Sequence, residues 1–289
     1  MDLSLLSAVI ILGGLGLLFG AGLAVASRVF HVFKDPRVEQ IEEALPGANC
    51  GACGAPGCSG FAEGVVEGKY PVNGCTAGGA EVAQAVAAIM GTEAEDVNPC
   101  VAVVRCRGDK EACADRAVYY GIEDCRAAML VDEGSKGCVY GCLGLGTCVA
   151  ACPFNALVMG ENGLPHVIED LCTGCGECVK ACPRNIMELM PRDQIVYLAC
   201  KSEDFGKAVK SVCKVGCIGC TMCANPKNTR EGVITMEGKL PKIHYDQVND
   251  PWKDLKSAVN KCPTKSFGIR GEVPEPAVAD AEEEEPAVS

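Results

Sequence analysis

The sequence predicts an α+β protein: an N-terminal membrane helix, a small helical module, two mixed modules in tandem and an acidic tail. A run of 25 uncharged residues near the N-terminus predicts the membrane helix. All 22 cysteines lie between Cys50 and Cys262, whereas aromatic residues make up only 5% of the chain. Short β-branched runs alternate with cysteine groups beyond residue 100, so cysteine-bound groups rather than a large apolar core are expected to organise the fold.

The uncharged run predicts a membrane anchor over residues 1–34. As a helix it would be roughly 37 Å long, against a hydrocarbon core of about 30 Å. A cleaved signal peptide is the alternative, but the residues before the run carry Asp2 and no base. Arg28, Lys34 and Arg37 follow the run, so the positive-inside rule places the rest of the chain in the cytoplasm. The cytoplasm is reducing, so the thiols are interpreted as metal ligands rather than disulfides.

The charge distribution excludes one class of partner and predicts a tail. The chain carries a net charge of −12 and has no basic patch interleaved with aromatic residues, which argues against a nucleic-acid partner. Residues 271–289 contain seven acids, no base and no periodicity. This segment is therefore predicted to be a disordered acidic tail.

Residues 35–99 predict the small helical module. One helix begins at Pro36, and an Ala-rich helix ends at Gly91. Between them, glycines let the chain wrap tightly and point amides at sulfur, which suits a 4Fe-4S cluster, with zinc as the alternative. The candidate ligands, in CGACGAPGC and just beyond it, are Cys50, Cys53, Cys58 and Cys75.

A run in the next module, residues 100–192, has the CxxCxxCxxxCP spacing of bacterial ferredoxins. In that pattern three thiolates bind one cubane and the fourth binds the neighbouring cubane, whereas a zinc ribbon needs two CxxC knuckles. The module is therefore predicted to hold two 4Fe-4S clusters. The run CTGCGECVKACP supplies Cys172, Cys175, Cys178 and Cys182.

The partner half of this motif, CVYGCLGLGTCVAACP, is irregular. In the ferredoxin pattern the last cysteine of each run binds the cluster of the other run, which we call the exchange rule. Cys152 therefore completes the cluster of Cys172, Cys175 and Cys178, and Cys182 completes the other cluster. Leu145 stands where a middle ligand is expected, and Cys138 is the predicted replacement. The second predicted set is therefore Cys138, Cys142, Cys148 and Cys182.

Residues 193–270 predict a second ferredoxin-like module through an internal repeat. CKVGCIGCTMC aligns with CVYGCLGLGTC without a gap, and Leu145 falls on Cys220. The near CP dipeptide is missing, so Cys262, which precedes Pro263, is taken as the fourth ligand. The predicted set is Cys217, Cys220, Cys223 and Cys262.

Six cysteines remain, enough for a fifth cluster. The runs VAVVRC and IVYLAC both predict strands that deliver a cysteine at their tip. The predicted ligands are Cys106, Cys113, Cys125 and Cys200, with Cys213 as the rival for the fourth position. A structural zinc or an empty site is the alternative, and Cys100 is predicted to be a free buried thiol.

No catalytic residue is predicted. The chain has no nucleotide-binding glycine motif and no flavin site, and GLGLG belongs to a cluster loop. His31, His166 and His244 are isolated, so packing or surface roles are expected for them. The chemistry expected of the chain is transfer of single electrons.

The order of the motifs resembles the B subunit of Rnf-type ferredoxin:NAD oxidoreductase complexes over about residues 1–270. The resemblance rests on the N-terminal span, CGACGAPGC, YYGIEDCRAAM, GCVYGCLGLGTCVAACPFNA and CKVGCIGC. It implies a membrane-anchored electron-transfer subunit of a translocase that takes electrons from reduced ferredoxin. It further implies partner subunits in the membrane and a partner that binds flavin and NAD, in a complex that pumps Na⁺ or H⁺.

Two other functions stay open at the level of sequence. The chain could serve a membrane hydrogenase or another oxidoreductase as its ferredoxin-like subunit, or it could be an iron–sulfur redox sensor. Copurifying partners would separate the subunit of a ferredoxin:NAD oxidoreductase from the subunit of a hydrogenase. A sensor would need a signalling segment, and the sequence shows none. An acidic ferredoxin needs positive charge for docking, although lysines are often merely solvated. The candidates are Lys207, Lys210, Lys214 and Lys227.

Overall fold

The computed structural model describes residues 3–30, 35–94 and 98–271, with side chains from residue 10 onward. Helices and short strands alternate along the chain, which confirms the predicted α+β class. The predictions for His31 and Lys34, and for the tail from residue 272 on, fall outside the described residues.

Helix α1 (Leu3–Val29) is the candidate membrane span. Its stretch Ile10–Val29 has a mean hydropathy of 2.1, and none of it is buried by the rest of the protein. Leu17 and Leu23 are 79% and 71% exposed. A bilayer would cover so continuous an apolar surface, and the predicted apolar N-terminal helix is therefore confirmed.

The helical module consists of α2 (Pro36–Ala44), α3 (Cys58–Val66) and α4 (Gly79–Met90). The carboxylate of Asp35 caps α2 by accepting a hydrogen bond from the Arg37 amide. The three helices pack around a small apolar centre, whose largest fully buried members are Ile41, Phe61 and Val86.

Gly91 ends α4 with φ of 68°, a left-handed conformation that favours glycine. The helix start at Pro36 and the helix end at Gly91 are thus both as predicted.

The rest of the described chain alternates short strands and short helices. In chain order they are β1 (Cys100–Val104), α5 (Cys125–Met129), α6 (Thr147–Ala150), β2 (Leu157–Met159), β3 (Pro165–Val167), α7 (Glu177–Ala181), β4 (Met187–Pro191), β5 (Val196–Leu198), α8 (Lys207–Val212), β6 (Ile234–Glu237), β7 (Leu240–Ile243), α9 (Lys256–Asn260) and β8 (Phe267–Ile269). Single 3₁₀ turns lie at Met222–Ala224 and Tyr245–Gln247.

Across the described residues, the strands form four two-stranded antiparallel sheets. An outer sheet pairs β1 with β4, and a second outer sheet pairs β5 with β8. Each outer sheet brackets a hairpin, β2 with β3 in one case and β6 with β7 in the other. The same arrangement of an outer sheet around a hairpin thus occurs twice along the chain, as expected for two modules. The boundary between them, predicted between residues 192 and 193, remains a prediction.

Cysteines form part of the core, which compensates for the scarcity of aromatic residues. Cys148 and Cys178 are buried against Ala102, Leu157 and Met187. The larger apolar cluster, beyond residue 195, includes three fully or nearly fully buried side chains: Val196, Val233 and Leu255.

Arginines join the first module to the second. Arg105 donates to the Leu198 carbonyl at 3.0 Å and forms a 2.6 Å ion pair with Glu188. Arg107 donates to the carbonyls of Lys265 and Phe267. Hydrogen bonds with a charged donor contribute about 1.5–3 kcal/mol each when shielded, so these contacts hold the two modules in a defined arrangement.

Candidate metal centres

The four predicted thiols of the helical module, Cys50, Cys53, Cys58 and Cys75, line one cavity. Asn49 fixes the loop, because its side-chain oxygen accepts a 2.8 Å hydrogen bond from the Cys58 amide at the start of α3. A Cβ added at Gly57 would lie 2.8 Å from that same oxygen, so only glycine fits there. We call this the helical-module cavity.

Three cysteines followed by proline share one local geometry: Cys152, Cys182 and Cys262. The sulfur of each accepts a 3.3 Å hydrogen bond from the backbone amide four residues later. Amide hydrogen bonds to the sulfur ligands of a cluster stabilise the negative charge added on reduction. The residue three positions after each cysteine has φ between 50° and 53°, and these residues are Asn155, Asn185 and Lys265. Cys262 therefore sits in the same turn as the two cysteines of the ferredoxin-type motifs.

The exchange rule predicts a first-module group of Cys152, Cys172, Cys175 and Cys178. Burial raises the pKa of Cys178 to about 12, and Cys172, Cys175 and Cys152 act on it electrostatically, as does Cys148 of the neighbouring cavity. The Ala102 amide, in β1, lies 3.5 Å from the Cys172 sulfur. The structure brings these four thiols together.

The neighbouring first-module cavity differs from the prediction in one position. Cys142, Cys148 and Cys182 line it as expected, but the fourth thiol is Cys125, from α5. Cys138 lines a different cavity. The geometry therefore favours Cys125 over Cys138 as the substitute for the ligand missing at Leu145.

Two polar side chains place Cys125 at this cavity. Asp124 caps α5 by accepting hydrogen bonds from the amides of Arg126 and Ala127. The hydroxyl of buried Thr147 accepts a 2.7 Å hydrogen bond from the Cys125 amide and donates to the Asp124 carboxylate at 3.2 Å. The helix start marked by Asp124 was the available signal in the sequence, but the contact with Thr147 is tertiary.

A five-thiol cavity lies between the two modules and is lined by Cys106, Cys113, Cys138, Cys200 and Cys213. Three of the four thiols predicted for the fifth cluster line it, namely Cys106, Cys113 and Cys200, together with the rival Cys213 and with Cys138. The fourth predicted thiol, Cys125, does not line it. Its empty space is about 470 Å³, against about 410 Å³ in the first-module cavity. The two cavities are therefore similar in size.

The second-module cavity brings together the predicted thiols Cys217, Cys220, Cys223 and Cys262. Burial raises the pKa of Cys217 to about 11 and that of Cys223 to about 12. Cys220 is exposed, and it is alone in this among the 22 cysteines, all of which lie in the described ranges.

The donor chemistry fits iron–sulfur clusters. Burial raises the pKa of Cys142 to about 12 and that of Cys148 to about 11, so without a metal these thiols are protonated at neutral pH. Bound iron supplies the positive charge that stabilises the thiolates, with release of their protons.

The described donors are not arranged around a single ion. Zinc bonds of about 2.3 Å in a tetrahedron would bring the sulfurs to about 3.8 Å from one another. Over residues 3–30, 35–94 and 98–271, no three His, Cys, Asp or Glu side chains converge closely enough to hold a single metal ion. A cubane carries its thiolates on a wider frame.

Residues outside these groups have ordinary roles. The Cys100 sulfur lies 3.7 Å from the Asn98 carbonyl, is half-buried rather than fully buried, and stands apart from the cavities described above. His244 forms a 2.7 Å hydrogen bond with the Thr235 hydroxyl, and His166 lies in β3.

Comparison with known families agrees with the two kinds of site. A family model described as an Fe-S cluster matches residues 45–77, which contain the helical-module cavity. A family model described as a 4Fe-4S dicluster domain matches residues 137–187 in the first module.

Similar proteins match along most of the chain. The B subunit of the Na(+)-translocating ferredoxin:NAD(+) oxidoreductase complex of Acetobacterium woodii is 49% identical over 88% of this chain and 74% of its own length. The B subunit of the ion-translocating oxidoreductase complex of Methanosarcina acetivorans is 42% identical over 92% and 98%. The B subunit of the proton-translocating ferredoxin:NAD(+) oxidoreductase complex of Clostridium ljungdahlii is 46% identical over 70% and 72%. The chain therefore belongs to the family formed by the B subunits of ion-translocating oxidoreductase complexes and is an iron–sulfur electron-transfer subunit.

Proposed function

We propose that this chain takes electrons from reduced ferredoxin and passes them, one at a time, to other subunits of an ion-translocating ferredoxin:NAD oxidoreductase. The observation that supports it is the series of cysteine-lined sites in one chain, each close to the next. The names of the relatives supply the donor and the acceptor.

We propose five 4Fe-4S clusters. A bound 4Fe-4S cluster accepts and releases one electron at low potential. The ligand sets are Cys50, Cys53, Cys58 and Cys75; Cys152, Cys172, Cys175 and Cys178; Cys125, Cys142, Cys148 and Cys182; Cys217, Cys220, Cys223 and Cys262; and four of the thiols in the five-thiol cavity.

The residues of this chain bind, space and shield these sites. Apolar packing around the cysteines keeps water away, and backbone amides that point at sulfur stabilise added negative charge. Reduction of NAD⁺ to NADH takes two electrons and one proton, so each turnover needs two one-electron transfers from reduced ferredoxin. The pair is completed on the partner subunit that binds flavin and NAD.

Ferredoxin docking belongs at the second-module cavity. Cys220 is exposed there, and the Phe205 ring, itself 60% exposed, covers Gly219 beside it. Lys207 and Lys210 lie exposed on α8, which follows Phe205 directly. An acidic donor would be steered to this basic surface and would meet an exposed ligand.

The membrane anchor belongs at the other end of the chain, next to the helical module. Arg28 at the end of α1 and Arg37 in α2 favour a cytoplasmic position for the cysteine-rich modules. A Cβ added at Gly16 or Gly20 would meet no atom within 4 Å, so this face of α1 is open to a helix of a membrane subunit. Protease added to sealed inside-out vesicles should digest the modules, and digestion only in right-side-out vesicles would contradict this orientation.

The function is tested by mixing the full-length protein in detergent, anaerobically, with reduced ferredoxin while the visible absorbance of the clusters is followed. We expect bleaching by ferredoxin, with dithionite as the control that reports full reduction. If dithionite reduces the clusters but ferredoxin does not at any salt concentration, ferredoxin is not the donor, and the role in a membrane hydrogenase is favoured.

A further inference from the structure

The five-thiol cavity has an internal symmetry that follows the sequence repeat. Gap-free alignment of the two copies pairs Cys138 with Cys213. A Cβ added at Gly141 would lie 3.6 Å from the Cys138 sulfur, and one added at Gly216 would lie 3.7 Å from the Cys213 sulfur. The two copies thus present these thiols to one cavity in the same local geometry.

The other two symmetric thiols stand at the strand tips. The Cys106 sulfur, after β1, lies 3.5 Å from the amide of Cys142. The Cys200 sulfur, after β5, accepts a 3.2 Å hydrogen bond from the amide of Cys217. Cys142 and Cys217 are aligned positions in the repeat. Each copy therefore contributes two equivalent thiols, which makes four.

The fifth thiol, Cys113, breaks this symmetry. Counted from the strand-tip cysteines, its counterpart in the second copy is Lys207, which lies exposed on α8. Cys113 is 1% exposed, and its sulfur accepts a hydrogen bond from the Cys213 thiol. Its place is that of a hydrogen-bonding neighbour to a ligand.

A buried cation beside the cavity indicates that an anionic group belongs there. Lys136 is only 5% exposed, and its ammonium group donates to the Asp109 carbonyl at 3.3 Å. Its charge acts on Cys106 and Cys113. In the part of the chain that the structure describes, no carboxylate forms an ion pair with it. Burying an unpaired charge is costly, and a cluster with four thiolates would compensate it.

We propose that Cys106, Cys138, Cys200 and Cys213 hold the fifth 4Fe-4S cluster, as the junction between the two ferredoxin-like modules, and that Cys113 is a hydrogen-bonded neighbour of the site and not a ligand. This inference rests on the proposed function, because it assigns a place to a site in that series. The hydrogen bonds to Cys106 and Cys200 come from cysteines of the two flanking cavities, which makes this site the link between them.

With the junction in place, the ferredoxin-type sites form one series. Cys148 and Cys178 pack in one apolar cluster, Cys142 lies within 3.5 Å of the Cys106 sulfur through its amide, and the Cys217 amide donates to the Cys200 sulfur.

Iron analysis of the full-length protein, purified anaerobically in detergent, tests the ligand set. We expect Cys106→Ala and Cys200→Ala each to lose about four iron atoms per chain, and Cys113→Ala to retain the wild-type content. Full iron in the first two variants, or a loss of four iron atoms in Cys113→Ala, would overturn the proposal.

Electron paramagnetic resonance tests the position as a junction. In the dithionite-reduced wild-type protein, neighbouring reduced clusters broaden each other's signals. Loss of the junction in Cys200→Ala should narrow the signal of the second-module cluster, whereas Cys113→Ala should keep it broad. Equal spectra for the two variants would contradict the assignment.

Lys136→Met gives a test that leaves every thiol in place, should a cysteine variant fail to fold. We expect full iron content and a lower midpoint potential for one cluster, because a positive charge beside it is lost, with recovery in Lys136→Arg. Unchanged potentials in Lys136→Met would contradict the site. If the wild-type chain accepts electrons from ferredoxin while these variants behave as wild type, the junction fails and the proposed function stands.

Discussion

The backbone amide of Cys217 donates a 3.2 Å hydrogen bond to the sulfur of Cys200, although the two thiols line different cavities. The equivalent pair in the first copy, Cys142 and Cys106, is separated by 3.5 Å. Each copy of the repeat thus joins its own cavity to the shared one through a single peptide group. The amide belongs to a ligand of one site and contacts the sulfur of a ligand of the next site. It therefore offers electrons a short path between the two sites.

Replacing Cys125 tests the unexpected thiol of the first-module cavity. We expect Cys125→Ala to lose about four iron atoms per chain, because the cavity would retain only three thiols. Cys100→Ala is the matched control, since Cys100 stands apart from the cavities, and it should lose none. Full iron content in Cys125→Ala would return Cys138 to this site.

Thr147 should slow the release of iron from the first-module cavity. Thr147→Val leaves the Cys125 amide without its acceptor and should cost about 1–3 kcal/mol of local stability. The measurement is the rate of iron release to a chelator under anaerobic conditions, which should rise, while Thr147→Ser keeps the hydroxyl and the wild-type rate. Equal rates in the two variants would show that the hydroxyl does not position Cys125.

The turn after Cys262 contains a strained lysine. Lys265 has φ of 50°, where the equivalent turns have asparagine. Because the left-handed conformation costs a side chain with a Cβ about 1–2 kcal/mol and asparagine tolerates it better, Lys265→Asn should be stabilising. We expect the midpoint of thermal bleaching to rise by about 2–4 °C.

Lys261→Asn is the control for that substitution. Lys261 is also exposed and has an ordinary φ of −86°. A rise in the bleaching midpoint that is the same in both variants would assign the effect to charge rather than to backbone strain.

Lys210 should affect the encounter with ferredoxin. Reversing this exposed charge in Lys210→Glu should slow reduction by ferredoxin on the order of 3-fold at low ionic strength, with the difference vanishing at high salt. Lys69→Glu, at another exposed lysine, which pairs with Glu67 in the helical module, should leave the rate unchanged. Equal effects of the two substitutions would place docking elsewhere.

Local signals in the sequence predicted much of the framework. Pro36 and Gly91 marked helix ends because a fixed φ suits the first turn and a left-handed residue suits the end. The proline after Cys262 indicated a turn like those at Cys152 and Cys182, because proline restricts the backbone in the same way at all three positions. In each turn the cysteine sulfur accepts a hydrogen bond from the amide four residues later.

The sequence could not decide which thiols share a cavity when their spacing is irregular. The sequence predicts Cys138 as the substitute for the ligand missing at Leu145, whereas the structure places Cys125 at that cavity. Thr147 accepts a hydrogen bond from the Cys125 amide there and contacts Asp124. That contact joins residues 23 positions apart and leaves no periodic pattern. The five-thiol cavity is still less visible, because Cys106 and Cys213 meet only when the two modules pack together.

Iron and acid-labile sulfide per chain, measured on the anaerobically purified full-length protein, test the central claim most directly. Five 4Fe-4S clusters predict about 20 iron atoms and about 20 sulfides per chain, without zinc. A value near 16 would leave the five-thiol cavity without a cluster. A value near 8 with zinc present would contradict the account, because only two clusters would remain, and the helical-module, second-module and five-thiol cavities would then not be iron–sulfur sites.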